Sequence, residues 1–454
     1  MTRPGASLPW LMATGFLVLL AAALTAHTGA VDETTAVVAA LVVLAALAAA
    51  VLMAALEPAV TISVGLALTI FSGQFGHLGS PVGIDRIVLV GGILVTLARE
   101  VSRGMPVLRT TPVHLGLLAI GVYATVSALF RDVLTEEAPF FTLIDYLGLI
   151  PFALFWVAPA AFPTARERRI LVGTLVIVGL YLGVTAILET TGPTSLVFPG
   201  YIADPHFGIH QGRARGPFLE ASANGLSMYF CAVAAAIALA QWRRKWIPIL
   251  ALGVCATGIV FTLTRQVWLA AALGTLVAML ARPELRRLTI PVAVATALGV
   301  LGLLAVTPGF NERAVARLDA KEPVWDRLNS NDAAVRMIGE RPILGWGWYA
   351  FEDRGAEFFR LAPDRPLTEV ALHNVFLSYA VQLGIVGLLA WIVAAAVAVG
   401  TGLRSRGPPD LDHWRAGLIA VAVAWAVVGN FTPMGYPFDH ALLWLWAGVA
   451  WSRT

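Results

Sequence analysis

Charge is what this chain has least of. Asp, Glu, Lys and Arg make up 13% of its 454 residues, against about 25% in an ordinary soluble domain. That shortage excludes a water-soluble globular protein, and 58% hydrophobic content stands in its place. Lysine is nearly missing: Lys245 and Lys321 are the only two, so arginine carries almost all of the positive charge. Cysteine is reduced to Cys231 and Cys255, both inside apolar runs, which argues against a disulfide framework. The chain has no phosphate-binding P-loop, no dinucleotide fingerprint and no Gly-x-Ser-x-Gly elbow. His206 and His210 are spaced i, i+4, but in a Gly/Pro-containing loop, so neither a metal site nor a cofactor is predicted. The net charge of +3 gathers in short loops, which is a topology signal and not a nucleic-acid footprint.

What the chain does have is long apolar runs. They fall near 9–26, 34–56, 58–72, 85–99, 112–130, 141–161, 169–189, 218–241, 246–263, 266–281, 288–306, 373–401, 414–430 and 438–452. Runs of this length predict helices and not a β-barrel. The expected fold is all-α, a polytopic integral membrane protein of about 12–14 transmembrane helices with a large outer-face loop that holds short helices. The first run follows Arg3, and no strong small-x-small cleavage site comes after it, so it reads as a retained span and not a signal peptide.

The arginines test this layout. Arg99, Arg103 and Arg109 share one loop; Arg166, Arg168 and Arg169 the next but one. Arg243, Arg244 and Lys245, then Arg282, Arg286 and Arg287, then Arg404, Arg406 and Arg415 continue the alternation. With Arg3 and Arg453 at the ends, all fall on one side if both termini are cytoplasmic. Four regions follow: N-terminal helices over 1–188, helices with a first outer loop over 189–306, a large outer loop over 307–372, and C-terminal helices over 373–454. Helical pieces are expected in the large loop near 312–320 and 331–340.

Two outer loops, from about Glu189 to Asn224 and from about Thr307 to Leu372, hold arginines against the positive-inside rule. Charge placed there calls for a ligand. Three clusters share that face. The first is Arg213-Ala214-Arg215-Gly216-Pro217-Phe218-Leu219-Glu220 with Asn224, and the second is Arg265-Gln266-Val267-Trp268-Leu269. The third is His373-Asn374 at the start of a long span, with Gly384 and Gly387 below it. Arg265 lies between two apolar runs, where an unsatisfied charge costs roughly 2.5–3.5 kcal/mol on insertion scales, so it should face a polar cavity. Guanidinium forks suit phosphate oxygens, and a neutral imidazole takes a proton from a hydroxyl near neutral pH. Trp346 and Trp348 read as interfacial anchors before sugar-stacking platforms.

These clusters, in this order, resemble the O-antigen ligase and O-antigen polymerase family of bacterial envelope proteins. Arg265 to Leu269 is similar to the family's Arg-x-x-x-Leu motif, and Arg215 to Phe218 with Asn224 to its Arg-Gly-Pro-Phe stretch. Arg341-Pro342-Ile343-Leu344-Gly345-Trp346-Gly347 resembles its Pro-x-x-Gly-x-Gly segment, and His373-Asn374-Val375-Phe376-Leu377 its span-opening histidine. Ligases commonly carry Ser or Thr after that histidine, where this chain has Asn374.

The resemblance implies a metal-independent glycosyltransferase of the bacterial cytoplasmic (inner) membrane, without a cofactor. The donor would be a glycan on undecaprenyl diphosphate. The acceptor would be a glycan or lipid-glycan hydroxyl: a lipid A–core sugar for a ligase, a second lipid-linked repeat for a polymerase. Catalytic roles fall on Arg215, Arg265 and His373, and substrate binding on Arg213, Glu220, Asn224, Arg327 and Asn374. One rival is a transporter or flippase of lipid-linked sugars, and another is a non-catalytic envelope assembly component. Against a flippase, 288–306 holds no ionisable residue, 373–401 has only His373 at its start, and no internal repeat is present.

Overall fold

Apolar runs in a bilayer satisfy their backbone groups internally as helices, and each predicted run among the described residues is helical, the one at 141–161 through a π-helical turn and a break at Gly148. The structure is a computed structural model that describes residues 57–78, 83–104, 111–209, 211–360 and 371–452. The runs expected at 9–26 and 34–56 lie outside the described residues, as do Arg3, Arg109, His210 and Arg453.

The described helices are α1 (Pro58–Leu68), α2 (Ile84–Ser102), α3 (Pro112–Phe130), α4 (Glu137–Phe141), α5 (Leu149–Ala161), α6 (Ala165–Thr191), α7 (Ala221–Gln241), α8 (Trp246–Phe261) and α9 (Arg265–Ala281). They continue with α10 (Pro283–Arg286), α11 (Thr289–Val306), α12 (Phe310–Asp319), α13 (Glu322–Glu340), α14 (Ala350–Arg354), α15 (Val375–Arg404), α16 (Asp410–Gly429) and α17 (Pro437–Ala450). No strand occurs among the described residues. Among the described residues, seven helical segments are long and apolar enough to cross a membrane: Pro112–Phe130, Glu137–Ala161, Ala165–Thr191, Ala221–Gln241, Thr289–Val306, Val375–Arg404 and Leu411–Gly429. The chain is an all-helical polytopic membrane protein. In the large loop the helices run longer than the sequence predicts, over Phe310–Asp319 and Glu322–Glu340.

Local chemistry sets several helix starts. Proline occupies the opening turn of α1, α3 and α17, where its missing N–H is no loss. A Thr164/Glu167 capping box starts α6. Every residue of α17 is buried, with α5 and α16 packed on it, so this short helix is central. Small residues bring backbones together, as membrane helices require without a hydrophobic drive between them. A Cβ added at Gly274 would lie 2.6 Å from the Ala420 carbonyl oxygen, and one at Gly448 2.5 Å from that of Phe155. At the other extreme, α11 buries no residue.

Two features shape the end of the bundle that holds the functional residues. The α8–α9 hairpin has arms of 16 and 17 residues, or about 24–26 Å at 1.5 Å per residue, short of a ~30 Å hydrocarbon layer. Its turn, residues 262–264, is buried. The short hairpin beside the 27-residue α6 leaves a recess with Arg265 at its edge.

The second feature is a break in α15. Gly384 takes φ 67° and ψ −177° inside the helix. The freed backbone groups pair with residues 342–347: Ile385 N donates to Pro342 O (2.8 Å), Trp346 N to Val381 O (2.8 Å) and Gly347 N to Gln382 O (3.0 Å). One stripe of α3 holds this insertion. Tyr123 donates its hydroxyl to Leu344 O and Leu383 O (3.1 Å each), Ser127 Oγ accepts from Trp348 N (3.0 Å), and Arg131 pairs with Asp353. Trp346 and Trp348 are not interfacial anchors. Both are buried, their indole N–H groups donating to Met337 O (2.7 Å) and Pro139 O (3.0 Å).

Candidate active site

The recess opens into a cavity of about 1020 Å³, whose wall includes Arg213, Glu220, Arg265, Arg317, Arg327 and His373. Residues from all three sequence clusters, separated by up to 160 positions, therefore meet at one space.

The arginines are held individually. Arg213 is 8% exposed; its Nε donates to Thr262 O (2.8 Å) and its Nη2 to the Thr264 hydroxyl. Its Nη1 is buried without a hydrogen-bond partner among the described residues. An unmet donor of this kind costs about 1–3 kcal/mol until something accepts from it. Arg265 opens α9 and donates from Nη2 to Ala320 O (3.3 Å), tying the hairpin to the end of α12. Arg327, on α13, donates from Nη2 to Gln266 Oε1 (2.6 Å) and from Nε to Phe431 O (3.0 Å). Gln266 Nε2 in turn donates to Ser222 Oγ (3.0 Å).

These guanidinium groups repel one another. Burial and then the Arg317 charge bring Arg213 down to about 10, with Arg327 adding to it and Glu220 opposing. Burial followed by the Arg265 charge lowers Arg317. Burial, then Arg265 and Arg317, lower Arg327. Guanidinium does not give up its proton in proteins, so the physical content is charge held out of water first and mutual repulsion second, and a bound anion would offset both. Glu220 supplies part of that relief while capping α7 through Ala223 N (2.6 Å to Oε2).

His373 precedes α15. Its Nδ1 lies 3.0 Å from Ala371 O. A carbonyl can only accept, so Nδ1 carries the proton and Nε2 is the basic nitrogen of the neutral ring. Asn374 next to it is the helix cap: Oδ1 accepts from Phe376 N and Leu377 N (3.0 Å each). Asn caps as well as Ser and better than Thr, so Asn374 in the place of a hydroxyl residue leaves the helix start intact.

Three predicted site residues are absent from the cavity wall. Arg215 is 3% exposed and donates to Phe207 O (2.6 Å) and Ile202 O (2.8 Å), while Glu189 accepts from Arg215 N (3.3 Å) and Gly216 N (2.8 Å). Burial lowers its pKa, and the Glu189 and Asp204 charges oppose that. It clamps the first loop. Asn224 is fully buried behind the same loop, donating to Ala214 O (3.1 Å). A Cβ at Gly216 would lie 2.4 Å from Asn224 Oδ1, which explains the glycine of Arg-Gly-Pro-Phe. Asn374 caps and does not line the cavity.

Arg317 and Gln266 also line the cavity without having been expected as site residues, although Arg317 sits in a loop whose arginines run against the topology rule. A second stretch of wall was equally unexpected. There Arg86, on α2, donates to Asp145 Oδ2 from Nε (3.0 Å) and Nη2 (2.6 Å) and lies 4.0 Å over the Phe141 ring. Asp145 and Tyr146 belong to a π-helical turn, residues 142–147, an uncommon form that recurs at functional sites. Among the described residues, no group of three or more His, Cys, Asp or Glu side chains is placed to hold a metal ion.

Residues 250–392, about a third of the chain, match the family model described as O-antigen ligase. That stretch is similar to an O-antigen ligase domain. The matched stretch contains Arg265, Arg317, Arg327 and His373, the cavity's cationic side and its histidine. The match supports a likeness to membrane enzymes that transfer glycans. No curated protein matches the chain.

Proposed function

We propose that the chain transfers a glycan from undecaprenyl diphosphate to a hydroxyl of an acceptor glycan at the outer face of the cytoplasmic membrane. The observation that carries this is the gathering of Arg213, Arg265, Arg317 and Arg327 on the wall of one cavity shared with His373. The arrangement suits a ligand with a concentrated negative charge next to a nucleophilic hydroxyl. In this reading the arginines bind the diphosphate, and Arg213 Nη1 gains the acceptor it lacks. Arg213 takes the role expected of Arg215.

The reaction balances without a further reactant. The acceptor oxygen forms a bond to the anomeric carbon of the donor sugar, and the bond from that carbon to the diphosphate oxygen breaks. The hydroxyl proton passes to His373 Nε2, and undecaprenyl diphosphate leaves with the bonding pair. The arginines stabilise the charge that develops on the leaving oxygen, an effect worth about 3–4 kcal/mol per well-placed donor. They supply the positive charge a metal ion supplies at other phosphate sites, so transfer should persist in EDTA. Exposed Ile209, Leu269 and Val324 on the rim suit the polyprenyl tail. The alternating arginine loops support cytoplasmic termini.

The test is transfer by purified protein in reconstituted membranes, given an undecaprenyl-diphosphate-linked oligosaccharide with and without lipid A–core acceptor. Release of undecaprenyl diphosphate with a longer glycan establishes the enzyme. Consumption of the core acceptor identifies a ligase, and lengthening of the donor alone a polymerase. Donor binding without turnover under either condition overturns the proposal in favour of transport.

A further inference from the structure

Tyr349 holds a backbone conformation that its neighbours make easy and it makes hard. It takes φ 62° and ψ 18°, in the left-handed region. Bulky side chains rarely adopt this region, and glycine adopts it freely. Gly345 (φ 72°) and Gly347 (φ 99°), in the same turn, are glycines. A third glycine would complete the turn without strain, so a tyrosine here points to a need for its ring. Trp346 and Trp348 beside it are buried and bonded within the protein; Tyr349 is the aromatic of this motif that lines the cavity.

The strained turn is firmly held. Tyr349 N donates to Gln382 Oε1 (2.9 Å), and Gln382 Nε2 donates to Ser378 Oγ (2.6 Å). Ser378 and Gln382 lie on the part of α15 between His373 and the Gly384 break. From the same segment, Tyr379 donates its hydroxyl to Tyr146 O (3.1 Å), and Tyr146 also lines the cavity. One short rigid piece of helix therefore fixes His373, Tyr349 and Tyr146 relative to one another. Arg86, immobilised by Asp145 and Phe141, and Glu137 complete this stretch of wall. Its chemistry differs from the four-arginine side: aromatic rings interleaved with hydrogen-bonding groups, one arginine already neutralised, and no concentration of free positive charge. That combination recognises a pyranose ring, apolar on its faces and hydroxylated at its edge.

We propose that Tyr349, with Tyr146 and Arg86, forms the subsite that holds the acceptor sugar and presents its hydroxyl to His373. The inference rests on the transfer reading above. It assigns the acceptor and not the donor sugar to this wall, because the wall is built on the same helical segment as the residue that takes the acceptor proton.

The test compares wild-type protein with Tyr349→Phe, Tyr349→Ala and Tyr349→Gly in the reconstituted transfer assay, varying donor and acceptor separately. The glycine variant relieves the strained turn, so its fold is safe where the alanine variant's is not. Alanine and glycine variants should raise the acceptor KM about tenfold or more, with donor KM within twofold and kcat changed far less than in His373→Ala. The phenylalanine variant, which keeps the ring, should raise the acceptor KM least of the three. A change confined to donor KM, or no change in either, overturns the assignment. Should wild-type protein transfer nothing, saturation-transfer NMR with methyl glycosides of glucose, galactose, rhamnose and N-acetylglucosamine decides separately. Contact signals present in wild type and lost in Tyr349→Gly support a sugar subsite, and their absence from wild type overturns it.

Discussion

Arg327 Nη2 sits 2.6 Å from Gln266 Oε1, joining the longest helix of the large loop to the residue after Arg265. Arg327 Nε reaches Phe431 O as well, so one guanidinium latches α13 over the cavity from two directions. A lysine keeps the charge and loses the fork. Arg327→Lys should lower kcat/KM for transfer by about 10- to 100-fold, the loss of one or two charge-assisted hydrogen bonds. Unchanged donor kinetics in that variant would show that the latch is incidental.

Arg213 and Arg215, two residues apart, should fail in different ways. Arg215 bonds three backbone carbonyls of the first loop and lies near Glu189, so Arg215→Ala should cut the yield of monodisperse protein and lower Tm. Arg213 lines the cavity with one N–H unmet and bonds only the 262–264 turn, so Arg213→Gln should lower Tm less than Arg215→Ala does and abolish most turnover. Thermal unfolding beside transfer rates separates the two, and the reverse pattern would restore Arg215 as the catalytic residue.

The break in α15 predicts a sharp intolerance. A Cβ at Gly384 would meet Ile343 O at 2.0 Å, in a left-handed backbone. A Cβ at Gly345 would meet Gly384 N at 2.5 Å. Gly384→Ala should destabilise by several kcal/mol, about 3 or more from strain and clash together, seen as loss of folded protein on size exclusion. Gly299→Ala, where nothing lies within 4 Å, is the neutral control.

The repulsion among the arginines predicts anion-linked stability. Inorganic pyrophosphate should raise Tm by roughly 2–5 °C as it saturates, and equimolar chloride should not. Arg317→Gln removes one repelling charge from Arg213 and Arg327. It should therefore hold or raise Tm without ligand while weakening the pyrophosphate effect, the trade expected where function maintains strain. A variant with lower apo stability and an undiminished pyrophosphate response would contradict the electrostatic account.

Much of this was legible in the sequence, for reasons that particular residues make plain. Helix positions follow from apolar length alone, so 112–130 matches its predicted bounds. The alternating arginine loops put the clusters of Glu220, Arg265 and His373 on one face, and the three line one cavity. Direction was not legible: nothing in Arg213-Ala214-Arg215 says which arginine turns into the cavity, because that depends on carbonyls at 202 and 207 and on the turn at 262–264. The Gly384 break was equally hidden, since a glycine in an apolar run reads as a packing residue until the inserted turn of 342–347 is seen. The Arg86–Asp145 wall was missed because it joins positions 59 apart in regions otherwise read only as spans.

The most direct measurement pairs donor binding with single-turnover transfer in His373→Ala and Arg265→Ala, using an undecaprenyl-diphosphate-linked oligosaccharide in reconstituted membranes. The account predicts that His373→Ala binds donor like wild type and transfers at least about 10²-fold more slowly, the scale of general-base catalysis. Arg265→Ala should lose both donor affinity and transfer. Wild-type transfer rates in His373→Ala, or undiminished donor binding and turnover in Arg265→Ala, would contradict it.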